Sequence, residues 1–171
     1  MTIHLHLGPV TVRNVAAPRP EDVHIPTILD RIGRIRRFGG HPDALTVLQH
    51  CRLTKALAVQ DNVAWRVIQW AWRHDWHEAV TGDIPAPVKR AIASPALRDL
   101  ERAWDDAIAR AETIQPPDEW VRREVSRYDR MACRLEMEAL CMTADPYLPP
   151  VPAHIDPTEA WAYAIGREAL A

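Results

Sequence analysis

Apolar residues recur along most of this chain at the three- and four-residue spacing of a helix face; they alternate only at its start. There Ile3, Leu5 and Leu7 alternate with Thr2, His4 and His6, and Gly8-Pro9 separates them from VTVRNV, which predicts a short β-hairpin over residues 2 to 15. AAPRPEDVHIP follows as a loop, because its prolines oppose regular structure. Ile28, Ile32 and Ile35 mark a helix from Thr27 to about Arg37, with Thr27 and Asp30 as its capping signal. Phe38-Gly39-Gly40-His41-Pro42 ends it. Val47, His50, Cys51, Thr54 and Leu57 then form the inner face of a helix predicted over about Asp43 to Val59. The next helix is expected from Asp61 to Val80: Ala64, Val67 and Ala71 lead to His74, Asp75 and Glu78 on one face, His77 points elsewhere, and Trp65, Trp72 and Trp76 make a packing stripe. Ser94-Pro95 opens a helix to about Glu112 that reads as scaffold. A long helix from Pro117 to about Met142 turns Val125, Tyr128, Ala132, Leu135 and Ala139 inward, and Asp156-Pro157-Thr158-Glu159 caps a last helix through Leu170. The pattern predicts an all-α helical bundle with a short N-terminal β-hairpin, a single domain over residues 1–171.

Composition narrows the function classes. A formal charge of −2 with acids and bases interspersed leaves no basic stripe, which argues against a nucleic acid polymer as partner. Small anions need only a local cluster. No apolar run reaches the length of a membrane span, so no membrane association is expected. Cys51, Cys133 and Cys141 lack CxxC spacing and read as buried free thiols of a cytoplasmic protein. His4 and His6 share a strand face without an accompanying carboxylate or thiol and read as a polar outer surface.

The chemistry concentrates in HDWHEAVTGDIPAPVK, residues 74 to 89. His74, Asp75 and Glu78 continue an apolar stripe, where ionisable groups are costly without a partner charge or a metal ion. Thr81-Gly82 ends the helix, Asp83 turns back toward the same face, and Pro85 and Pro87 stiffen the chain before Lys89. His50 projects inward from its own helix. Asp129 lies between Val125 and Cys133, a carboxylate sunk among apolar side chains, and Glu136 beyond it reads as a structural salt bridge. Arg36 and Arg37 diverge on their helix, so at most one faces any site; from the residues alone both read as a solvated helix end. Two imidazoles and two carboxylates together would neutralise a divalent cation and leave positions open, and Zn, Mn, Co or Fe suits such mixed ligation.

RRFGGH at 36 to 41, QHC at 49 to 51, HDWHEAVTGDIPAPVK at 74 to 89 and YDRMACRLEMEAL at 128 to 140 resemble the HD-domain phosphohydrolases, over about residues 27 to 142. The similarity is to the 5′-deoxynucleotidase branch and its phage and prophage relatives, including phage deoxynucleoside triphosphohydrolases. The resemblance implies His50, His74, Asp75 and Asp129 as metal ligands, Glu78 and Asp83 as catalytic groups, and Arg37 and Lys89 as phosphate holders. Phe38 stands where related nucleotidases often carry Trp, so packing on base or sugar should differ there. What the resemblance implies for function is a metal-dependent hydrolase of 2′-deoxynucleotide 5′-phosphates, foremost a dNTP triphosphohydrolase, in the host cytoplasm if phage-encoded. The alternatives are a 5′-deoxynucleotidase acting on monophosphates and a non-catalytic nucleotide-binding module. The relatives are commonly homo-oligomers, and the same is expected here.

Overall fold

The computed structural model describes residues 5–143 and 146–166. A two-stranded antiparallel hairpin, β1 (Leu5–Leu7) and β2 (Val10–Val12), pairs Leu5 with Val12 and Leu7 with Val10. Helices follow: α1 (Ile25–Ile32), a single turn α2 (Arg37–Gly40), α3 (Val47–Gln60), α4 (Trp65–Ala71), α5 (Glu78–Thr81), α6 (Ala86–Ile92), α7 (Pro95–Ala111), α8 (Glu119–Ala139) and α9 (Pro157–Ala164). The fold is all-α with an N-terminal hairpin, as the hydrophobic pattern predicts. The predicted hairpin's first residues, including His4, and the predicted end of the last helix lie outside the described residues.

Helix α3 is the central post, packed against α4, α8 and α9. Its inner residues Val47, His50, Cys51, Thr54 and Leu57 are all fully buried. Leu53, Leu57, Val67, Trp70, Val125, Tyr128 and Met131 form the main core; Ile28, Ile32, Trp76 and Ile108 form a second cluster under α1. Leu7, Val12 and Trp104 tie the hairpin to α7, where Trp104 Nε1 donates to the Val15 carbonyl at 3.0 Å. No helix among the described residues is long and apolar enough to cross a membrane.

Several boundaries differ from the sequence expectation for identifiable reasons. Helix α1 starts at Ile25 with Pro26 in its first turn, and Thr27 bonds the His24 ring at 2.8 Å instead of capping. It ends at Ile32, so Arg37 belongs to a separate turn. Helix α3 begins four residues later than predicted because Thr46 and Gln49 make a reciprocal capping box (3.3 and 2.9 Å). The helix expected over 61–80 is two, α4 and α5, joined by turns at 72–77. Trp65 therefore sits at the outer end of α4 and is 66% exposed, while Trp70 packs in the core and donates to the Gln115 carbonyl. Cys141 is exposed past the end of α8; only Cys51 of the three thiols is buried. Caps at Ser94, Asp118 and Asp156 start α7, α8 and α9 through side-chain acceptance of backbone N–H groups.

Asp61, capping the C-terminal end of α3, binds α8 and the loop before α9. It accepts from the Tyr128 hydroxyl and lies 2.6 Å from His154 Nε2. Burial alone would push Asp61 up, but Tyr128, His154 and Arg127 outweigh it and hold the carboxyl below its ordinary value. Such a group contributes stability above its unfolded pKa of about 3.9, and the contribution is lost as pH falls through the folded value. Asp61→Asn should therefore cost about 1–3 kcal/mol at neutral pH. Urea unfolding of both proteins should show the deficit shrinking as pH drops below about 4.

Candidate metal centre

Three chain segments deliver the predicted ligands to one point. His50 comes from the buried face of α3, His74 and Asp75 from the turns after α4, and Asp129 from the middle of α8. His50 Nε2 lies 3.2 Å from His74 Nε2 and 3.0 Å from Asp129 Oδ1. Asp75 Oδ2 is 3.2 Å from His74 Nε2 and 3.8 Å from His50 Nε2. The break after α4 makes this convergence local: the Ala71 carbonyl lies 2.9 Å from His74 Nδ1, which turns Nε2 toward the centre.

The donor set fits a divalent ion. Metal–ligand bonds of about 2.1 Å at tetrahedral or octahedral angles separate neighbouring donors by about 3.0–3.4 Å, close to the shorter separations here. His50, His74 and Asp129 offer ligand atoms all within 4.8 Å of one another. The electrostatics agree. Burial disfavours charge on His74, yet Asp75 overcomes it and holds the imidazole well above its ordinary pKa. His50 is raised against burial and Arg37 by Glu136 and Asp129. Asp75 and Asp129 are in turn lowered despite burial, chiefly by His74 and His50 respectively. The carboxylates thus favour positive charge at this point, and a bound cation would supply it in place of the imidazole protons.

A second layer orients the first. Glu136, 1% exposed, uses one oxygen for two partners: Oε2 lies 3.1 Å from His50 Nδ1 and 3.2 Å from Arg37 Nε. Arg37 reaches on to Asp75 Oδ2 at 3.4 Å. Burial works against the Arg37 charge, but Glu136, Asp75, Asp129 and Glu78 hold it protonated beyond its ordinary value. Arg36 diverges, donating to the Ala44 carbonyl at 2.6 Å. Phe38 follows Arg37 with a left-handed backbone (φ 54°), unusual for an aromatic residue, and its ring lies 5.8 Å from the Arg37 guanidinium.

Glu78, 2% exposed, stands beside the ligands at the start of α5. Lys89 Nζ lies 3.4 Å from its Oε1 and 3.0 Å from Glu101 Oε1; Glu78 Oε2 is buried without a hydrogen-bond partner among the described residues. Burial and the Asp75 charge, only partly offset by Lys89 and His77, push the Glu78 carboxyl up to about 8. Asp83 is raised by burial and Asp75 against Arg37 and Lys89, and its Oδ2 is likewise buried and unpartnered. Of the predicted site residues, His50, His74 and Asp129 meet at one point, Asp75 adjoins them, Arg37 and Lys89 pair with Asp75 and Glu78 respectively, and Phe38 packs on Arg37.

The helix read as scaffold contributes to the site. His77, 6% exposed, forms with Asp75 and Glu78 a second group of ligand atoms within 4.8 Å of one another; its Nδ1 lies 3.2 Å from Asp105 Oδ1 of α7, and Arg122 of α8 binds the other Asp105 oxygen at 2.6 Å. Asp105, between the core residues Trp104 and Ala107 and four residues after Glu101, carries the signal that would have revealed this role. A cleft of about 650 Å³, lined by the ligands His74 and Asp129 together with parts of α7 and α8, opens from the centre. No family model matches the chain, and no curated protein is significantly similar to it.

Proposed function

We propose that this chain is a metal-dependent phosphohydrolase of HD-domain type that acts on 2′-deoxynucleotide 5′-phosphates, foremost as a dNTP triphosphohydrolase. The observation that carries the reading is the meeting of His50, His74 and Asp129, with Asp75 Oδ2 3.2 Å from His74 Nε2 and a buried glutamate and two cations beside them. His50, His74, Asp75 and Asp129 would hold the ion. A bound divalent cation supplies Lewis acidity toward phosphoryl oxygen and acidifies a coordinated water. Arg37 and Lys89 sit where they can hold phosphoryl oxygens as charge spreads over them. Glu78 Oε2, without a hydrogen-bond partner among the described residues, can take the proton from an attacking water, while Lys89 holds Oε1. Attack on the α-phosphorus breaks its bond to the 5′-oxygen, and Asp83 can return a proton to that leaving oxygen. The products are a deoxynucleoside and triphosphate. The same reading carries a homo-oligomer, for which exposed Trp65 and Trp120 offer apolar surface.

Phosphorus NMR tests this directly. With Zn, Mn, Co or Fe supplied in turn, a dNTP panel should yield inorganic triphosphate. Orthophosphate from deoxynucleoside monophosphates alone would transfer the assignment to a 5′-deoxynucleotidase. No phosphate product from either panel under any metal would leave a binding module.

A further inference from the structure

The cleft that opens from the metal centre carries more positive charge than its own carboxylates can use. Arg98 and Arg102 lie one helical turn apart on α7, and Arg123 and Arg130 face them from α8. All four are exposed, and none makes an ion pair among the described residues. Arg34, Arg66, Arg73 and Arg134, by contrast, each hold a carboxylate. Three of the cleft's four acids are already engaged: Asp105 by Arg122 and His77, Glu101 by Lys89, and Asp129 by His50. The fourth, Glu119, makes no ion pair among the described residues.

Like charges one turn apart repel, and four of them around a concavity raise the local potential for an anion. The size of the cleft suits a nucleotide-sized ligand. Arg37 and Lys89 are not among the residues that line it: Arg37 is held by Glu136 and Asp75, and Lys89 by Glu78 and by Glu101 at the cleft's edge. We infer that Arg98, Arg102, Arg123 and Arg130 form a second anion subsite that holds the β- and γ-phosphates of a nucleoside triphosphate while its α-phosphate meets the metal centre. The inference rests on the phosphohydrolase reading and adds to it the residues that would select three phosphates over one. Planar guanidiniums suit this task because each can bind phosphate oxygens in pairs.

Inorganic tripolyphosphate and orthophosphate, titrated calorimetrically into the protein, test the subsite without requiring turnover. Tripolyphosphate should bind at least tenfold tighter than orthophosphate, with an affinity that falls as salt is added. Arg102→Gln and Arg123→Gln should each weaken it about tenfold, and the double variant more. Arg13→Gln removes the same charge outside the cleft and should leave it unchanged. Equal affinity for the two anions, equal loss in Arg13→Gln, or tighter capture of a single-stranded oligodeoxynucleotide than of tripolyphosphate would overturn the subsite. Tripolyphosphate binding of the expected kind in a protein that hydrolyses no nucleotide would instead count against the catalytic reading alone.

Discussion

Asp129→Ala protein should retain no stoichiometric divalent ion after dialysis against a chelator, and its nucleotide turnover should vanish with the metal. Asp129 supplies one of two carboxylates that favour positive charge between His50 and His74. Loss of even an outer partner of a metal ligand costs about 10–100-fold in affinity, so loss of a direct donor should cost more than about a hundredfold. The fold should survive. The Asp129 side chain is 34% exposed, and removing it relieves crowding with Asp75. Circular dichroism and elemental analysis on the same sample separate metal loss from unfolding. His50→Ala should lose metal too, but it also removes one of the two partners of the buried Glu136 and should lower stability by about 1–3 kcal/mol. A metal-replete Asp129→Ala protein would remove Asp129 from the ligand set.

Glu78→Gln should behave in the opposite way, keeping the metal while kcat falls by about a hundred- to ten-thousand-fold. The amide preserves the shape of the side chain but cannot take a proton from water at the position of Oε2. A kcat above one-tenth of the parent's would deny Glu78 that role. The metal-free proteins should also differ in stability. Glu78 in the folded chain is raised to about 8. Its unfolded value is about 4.3. Between these limits the unfolded state holds fewer protons, so the parent loses stability as pH rises and the amide does not. Metal-free Glu78→Gln should therefore become progressively more stable than the parent across that window, as thermal melting would record.

The helical plan was legible because buried stripes repeat so regularly: Ile28 with Ile32, the inner face of α3, and Val125 with Tyr128 and Ala132 all lie where their spacing puts them. Boundaries were less legible because caps compete. Asp43 and Thr46 are both plausible starts, and only the Gln49 side chain decides for Thr46. The ligands could be read from polar residues interrupting apolar stripes. The break after Ala71 could not, since nothing in RHDWHEA opposes helix locally; tertiary demands on Trp76, His77 and Glu78 win over propensity. The role of α7 was hidden for a related reason. Its buried Asp105, polar among the inward residues Trp104 and Ile108, marks a site in the sequence, but its partners His77 and Arg122 arrive from elsewhere in the fold.

One carboxylate oxygen of Glu136 serves both the imidazole of His50 and the guanidinium of Arg37. The ring that would grip a cation and the fork that would grip a phosphate are thereby geared to a common axle. Any shift of α8 that moves this oxygen must displace both together. A chain built this way cannot drift toward weaker anchoring of its ion while keeping its hold on the anion, and the two affinities should rise and fall as one across natural variation at this position.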